Sequence, residues 1–364
     1  MPRTGAGRDW LLLAAVMMRY ALRRLLLVPL MLALAAVILV LLPMVAAGQA
    51  IGALGGLRGH AARWRGLRLL VFAAVYSWGE CVCLLACLLL WLASPVPRWR
   101  NDARWRARHV RVLDAFLGTL VRAAGLVFAF RLELENPRGE TIDQNRPLIV
   151  LGRHAGPGAS FVLVHVLLRA RERVPRIVLK AQRRLDPALD VLLTRLGCVF
   201  IGQARNAAAT PADAVAELAS HLGPGDALVL FPEGSDWTPT RHRRAVRRLH
   251  RKGLRAQALA AARMPNVLPP RPAGTFAALQ AAADSQLAVF MHTGHDELLD
   301  AASVWRALPL QRELHMAWWN EPRPVVASEE ECARWLNEVW GRIDAWIGEQ
   351  AAMTELLQQK PAAP

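Results

Sequence analysis

His154 stands in the segment Leu148-Ile-Val-Leu-Gly-Arg-His-Ala-Gly-Pro-Gly-Ala-Ser160, where an apolar, β-branched run is broken by glycines and a proline before a second apolar stretch begins at Phe161. An imidazole with an ordinary pKa of about 6.5 can take or give a proton at neutral pH. The pattern predicts a buried strand that ends just before His154, and ligands of open α/β sheets bind at the carboxyl ends of strands. The alternative is a turn histidine that caps a neighbouring helix. A second stretch, Asp226-Ala-Leu-Val-Leu-Phe-Pro-Glu-Gly-Ser235, repeats the arrangement and sets Glu233 at the end of a buried strand. Two such turns can converge on one cleft. The residues that follow, from Arg241 through Arg243, Arg244, Arg247, Arg248, Arg251 and Lys252 to Arg255, predict a strongly basic helical segment. It suits phosphate, an anionic membrane surface or, least well, nucleic acid; it also reads as a solvated face.

Both turns need a scaffold. From about residue 112 the chain alternates apolar β-type runs, at 148–151, 176–180, 198–201, 226–231, 266–269 and 287–292, with helix-like stretches, which argues an α/β domain. Thr210-Pro-Ala-Asp213 gives a helix start with capping residue, proline and acid in their preferred places, stopped by Gly223-Pro-Gly. Another helix is expected from Ser328, with Glu331 as its capping partner and a stripe of Trp335, Leu336, Val339, Ile343, Trp346 and Ile347 that suits the core or, less well, a bilayer surface. Residues 351–364 read as a flexible tail.

Upstream the character is different. Leu25 to Ala47 is uncharged, long enough to span the roughly 20 residues that a membrane helix needs. Leu69 to Ala93 is a second apolar run, interrupted by Glu80, whose carboxylate faces either a protein partner or, protonated, Ser77 and the cysteines. Residues 1–111 therefore read as a membrane anchor, with helices about 25–47 and 69–93, followed by a basic linker. Within that linker, Arg98-Trp99-Arg100 and Arg104-Trp105-Arg106 suit the headgroup level. The balance of arginines around the hairpin places both termini, and with them the following domain, on the cytoplasmic side of a multi-pass membrane protein.

With 45 Lys and Arg against 29 Asp and Glu, the chain carries a formal net charge of +16, so its partners are expected to be anionic. The apolar runs favour lipid over nucleic acid, for which no zinc-finger spacing or basic-leucine repeat is present. Cys81, Cys83, Cys87, Cys198 and Cys332 show no zinc-ligand spacing. His292-Thr-Gly-His295 lacks the i, i+4 geometry of a zincin, so no metal is expected. Ser160 and Ser235 lie in no nucleophile elbow, and no glycine-rich dinucleotide loop or P-loop occurs.

His154 with its spaced Gly-Pro-Gly, Leu196-Gly-Cys-Val-Phe-Ile201, Phe231-Pro-Glu-Gly234 and Val267-Leu-Pro-Pro270, in this order and spacing, resemble the four blocks of the glycerolipid (lysophosphatidic-acid type) acyltransferase family. The resemblance covers roughly residues 120 to 350. It implies a mixed, largely parallel sheet flanked by helices, here behind a transmembrane hairpin, with the acyltransferase-like domain at 112–350. It also implies transfer of an acyl group from acyl-CoA or acyl carrier protein to the hydroxyl of a lysophosphatidic-acid-like lipid, with His154 as general base and no cofactor beyond the acyl donor. Glu233 is implied as a second catalytic residue, the polar member of the acceptor-positioning turn. Arg153, Gly156, Ser160, Phe231, Pro232, Gly234 and Ser235 are the implied substrate-binding neighbours, with Arg205 and Arg241 as displaced phosphate-binding arginines.

The sequence departs from the family pattern in three places. The family's first block is His-x4-Asp, and here Ala159 stands where the aspartate would be. Ser160, Glu233 or Asp236 can replace it if the fold brings one within reach of the imidazole; otherwise the chain is expected to be a catalytically weakened homologue that binds lipid. Gly202-Gln203 and Ser235-Asp236 occupy positions where many relatives carry arginine, which leaves room for an acceptor other than a phosphomonoester.

Overall fold

The computed structural model describes residues 6–54, 64–94, 96, 102–156, 158–201 and 210–359. The chain divides into two units, one of residues 1–123 with 181–196, the other of residues 124–180 with 197–364.

The first unit is helical: α1 (Ala6–Leu54), α2 (Arg65–Leu92), most of α3 (Ala103–Phe128), a 3-10 turn and α5 (Pro187–Arg195). Leu22–Gly52 and Arg65–Leu92 are each long and apolar enough to cross a membrane. Along α1, Leu25, Leu26, Leu30, Val40 and Met44 are exposed, while Ala35 and Ile38 are buried. The polar groups that interrupt this apolar unit are paired with one another. Glu80 is fully buried and its Oε2 accepts the Ala188 amide at 3.0 Å, satisfying a free N–H in the first turn of α5. Tyr76 donates to Asp186, the N-cap of the same helix, which also accepts from Leu189 at 3.0 Å. Asp190, buried, draws Arg23 (3.0 Å), Arg24 (2.9 Å) and Arg184 (2.8 Å). Glu80 is therefore neither a free functional group nor merely packed against cysteines.

The second unit holds a seven-stranded sheet in the order β1-β7-β6-β2-β5-β3-β4, with β1 (Leu132–Glu135), β2 (Leu148–Gly152), β3 (Val174–Lys180), β4 (Val199–Ile201), β5 (Asp226–Leu230), β6 (Gln286–Thr293) and β7 (Leu314–Glu321). Every neighbouring pair is parallel except β6 with β7. β2 and β5 are buried along their whole length, as continuous apolar runs in a parallel sheet must be. One face of the sheet carries Ile149, Leu151, Leu228, Leu230 and Val289 against α6 (Pro211–Ser220), α9 (Pro272–Ala281) and α11 (Glu329–Gln359). Leu336, Val339 and Ile343 of α11 are fully buried, so the amphipathic stripe is core. The remaining helices of this unit are α4 (Ala159–Ala170), α7 (Pro239–Arg251), α8 (Arg255–Ala262) and α10 (Ala301–Ala307).

Several expectations change. Residues 266–269 form no strand: Val267 and Leu268 are buried, but two prolines follow and the Leu268 amide bonds to a side chain instead of a ladder. β1 and β7 escaped the sequence reading. The boundary at 111 falls inside the single helix α3, and residues 181–196 group with the N-terminal helices. Trp105 is buried under the Arg195 guanidinium and does not sit as a headgroup anchor; Arg98, Trp99 and Arg100 lie outside the described residues. Helix α11 continues to Gln359, so most of the supposed tail is helical.

Replacing one partner of a buried ion cluster leaves the others without compensation. Asp190→Asn is thus expected to destabilise the first unit by about 3 kcal/mol, read as a lowered thermal midpoint of the detergent-solubilised protein, whereas Arg24→Gln, at the cluster's more exposed edge, costs less.

Candidate active site

Strand register brings the two sequence elements together. β2 and β5 pair in parallel from Leu148↔Ala227 to Leu151↔Leu230, so the residues after Leu151 and after Leu230 emerge side by side at one sheet edge. The pairing resumes beyond the strands as an isolated parallel bridge, Ala155↔Trp237, and the Trp237 amide donates to the His154 carbonyl at 2.6 Å. The turns need glycine. Gly156 has φ +70°, and a Cβ there would lie 3.0 Å from the His295 carbonyl oxygen; Gly234 also has φ +70°, with the Arg271 guanidinium against its Cα.

Phe231 forms a floor. Its ring lies so close to Gly152 that a Cβ would approach it to 2.9 Å, and the His154 imidazole packs on it with centroids 4.7 Å apart. His154 Nδ1 lies 2.8 Å from Asp236 Oδ1. The His154 side chain is 20% exposed and that of Asp236 47%, so the pair opens to the surface. The close contact with His154 Nδ1 holds the Asp236 carboxyl below its usual range, assisted by the charge of Arg241. Arg241 Nη1 donates to the Asp236 carbonyl at 3.0 Å and lies 3.6 Å from Oδ2. Of the three replacements open in the sequence for the absent aspartate, Asp236 is the one that meets the ring. Ala159 is buried at the start of α4, Ser160 is half-buried beside it, and Ser235 occupies the turn before Asp236.

Glu233 is turned the other way. It is 2% exposed and accepts the Leu268 amide and the Trp340 indole N–H, each at 3.3 Å, together with the backbone amide of His154. Burial pushes its carboxyl up to about 7, against the lowering effects of Arg153 and those donors. Its burial and these donors make it the brace of the turns, where a catalytic role was expected of it. Arg153 also points inward: it is 2% exposed, its Nη1 donates to the His292 carbonyl at 2.6 Å, its Nη2 to the Asn266 carbonyl at 2.7 Å, and it pairs with Asp296. No surface is left on it for substrate, because these partners enclose its guanidinium completely. His292 is buried beside it and held below the ordinary histidine range by burial and by Arg153. Pro232 is buried, its carbonyl accepting the Arg271 amide at 2.9 Å. Arg205 lies outside the described residues.

Two cations at the turn were missed by the sequence reading. The guanidinium of Arg271, an exposed residue, approaches Gly234, and Lys180 Nζ donates to the Gly234 carbonyl at 3.4 Å. Both had signals: Arg271 directly follows Val267-Leu-Pro-Pro270, and Lys180 closes β3, the parallel neighbour of β5. Among the described residues, a group with ligand-like spacing is Glu133, Glu313 and His315, at the β1–β7 edge and partly exposed.

A carboxyl whose folded pKa is raised is stabilised in its protonated form, so Glu233 adds stability at low pH that is lost as pH rises from about 4.5 to about 7. His292, with a lowered folded pKa, has the opposite slope. Glu233→Gln removes only the first. In urea titrations across this range the variant is expected to gain on the wild type as pH rises, by on the order of 3 kcal/mol.

A family model for acyltransferases matches residues 133–270, which include both turns, Lys180 and Asp236. The fold is similar to that of the crystal structure of the 1-acyl-sn-glycerophosphate (LPA) acyltransferase, PlsC, from Thermotoga maritima, with a TM-score of 0.52 and 14% identity over 79% of this chain and 98% of that one. No curated protein matches the sequence. The motif order, the domain match and the sheet agree on an acyltransferase domain at residues 133–270, set in a fold similar to that of PlsC.

Proposed function

We propose that the protein is a membrane-bound O-acyltransferase that moves a fatty acyl group from acyl-CoA or acyl carrier protein to the hydroxyl of a lysophosphatidic-acid-like lipid. The observation that carries this reading is the placement of His154: partly exposed, at the carboxyl edge of the sheet, beside the Phe231–Gly234 turn of an acyltransferase domain. A hydroxyl is a weak nucleophile at neutral pH. His154 takes its proton as the oxygen attacks the thioester carbonyl; the C–O bond forms, the C–S bond breaks, and the leaving thiolate takes the proton back from the imidazolium. General base catalysis of this kind contributes about 10²- to 10⁴-fold.

Lys180, Arg241 and Arg271 gather positive charge around Gly234 and Asp236 and suit an anionic headgroup or donor phosphates. The two apolar helices support attachment to the membrane in which a lysolipid resides; a multi-pass arrangement with this domain on the cytoplasmic side is the topology we favour. Ala159 is the observation behind a second reading, a weakened homologue that holds lipid without efficient turnover. Nucleic acid has no part in either.

Thiol release from acyl-CoA by the detergent-solubilised protein, assayed with a panel of lysolipids, separates the two. Turnover with at least one lysolipid is expected, and His154→Ala should reduce kcat by about 10²- to 10⁴-fold. Saturable lysolipid binding with no thiol release from any donor and acceptor pair would favour the second reading.

A further inference from the structure

His154 needs more than a place at the sheet edge to act as a base. An imidazole has two ring nitrogens, and only a ring held with its proton on the nitrogen away from the substrate presents a lone pair to a hydroxyl. A carboxylate that accepts the far N–H selects that tautomer and stabilises the imidazolium once the proton has moved. The residue at position 159 is a buried alanine and supplies no such group.

We propose that Asp236, delivered by the turn after β5, is the positioning residue of His154, fixing its tautomer through the Nδ1–H and leaving Nε2 to the acceptor hydroxyl. The inference rests on the acyl-transfer reading and names the group through which that site is set. Four contacts carry it. The His154 Nδ1 to Asp236 Oδ1 separation is 2.8 Å. The backbone bond from Trp237 to the His154 carbonyl and the Ala155↔Trp237 bridge lock the neighbouring residues in register, so the two side chains leave adjacent backbones. Phe231 packs against one face of the ring and limits its tilt. Arg241, held in the first turn of α7, bonds the Asp236 backbone and borders its second carboxylate oxygen, which leaves the first to the ring. The Asp236 carboxyl is also held below its usual range by the His154 contact, as an acceptor of that N–H should be.

The role differs from that of Glu233, whose oxygens are taken by Leu268, Trp340 and the His154 backbone. Asp236 touches the ring; it acts through the ring and does not need to touch the lipid.

The test uses the full-length protein in detergent with 15N-labelled histidine, the His154 signals being assigned by comparison with His154→Gln. In the wild type His154 is expected to carry its proton on Nδ1. In Asp236→Asn the ring should lose that single tautomer, and kcat for acyl transfer should fall by about 10²- to 10⁴-fold with KM little changed. Asp236→Glu should recover part of kcat and the wild-type tautomer. A wild-type ring protonated on Nε2, or an Asp236→Asn variant with wild-type kcat and unchanged 15N shifts, would overturn the assignment. A wild type without turnover on any lysolipid would count against acyl transfer, while the 15N spectra still decide the pairing.

Discussion

A single buried carboxylate holds the site's three pieces in place. Glu233 accepts from the backbone of His154, from the amide of Leu268 and from the indole of Trp340. Those donors come from the β2 turn, from the irregular segment before α9 and from the last helix, which have no regular ladder in common. An anion in the interior is costly unless every lone pair is engaged, and here the engagement is what registers the turns against one another. Arg153 adds a second layer beneath, with its guanidinium spread over two backbone carbonyls and Asp296. The charged residues next to the histidine are thus divided by direction: Glu233 and Arg153 face inward and brace, while His154 and Asp236 face outward.

This division explains what the sequence could and could not disclose. β2 and β5 were legible because a parallel strand buried on both faces must be apolar throughout, and the turns because glycine and proline end such strands in few ways. Helix α6 was legible down to its capping box, since Thr210 and Asp213 reciprocate through local bonds. β7 was not, because its parallel partner β1 is far off in sequence and its tryptophans read equally well as helix. Nor does residue type say which way a side chain turns: Arg153 and Arg241 look alike on the page, yet one is buried and the other exposed. The sequence could name Asp236 among three candidates for the ring's partner, but only strand pairing selects it.

The helical unit follows the same physics in an apolar setting. Glu80 and Asp190 would be costly among leucines, but each has its partners: an open first-turn amide of α5 for Glu80, and arginines from α1 and the 3-10 turn for Asp190. Residues 181–196 join this unit through those contacts, which is why a boundary drawn on hydropathy alone misplaces them.

The partnership between His154 and Asp236 is non-local: three strands and three α-helices of the chain lie between the residues, and they meet through the pairing of β2 with β5. A chain still emerging from synthesis, or one in which β5 has come away, carries the histidine without its carboxylate. Contacts of this kind form only after the entropy of closing a long loop has been overcome. On refolding, recovery of the His154–Asp236 contact would therefore trail recovery of helix content, reporting the completed sheet more faithfully than circular dichroism does.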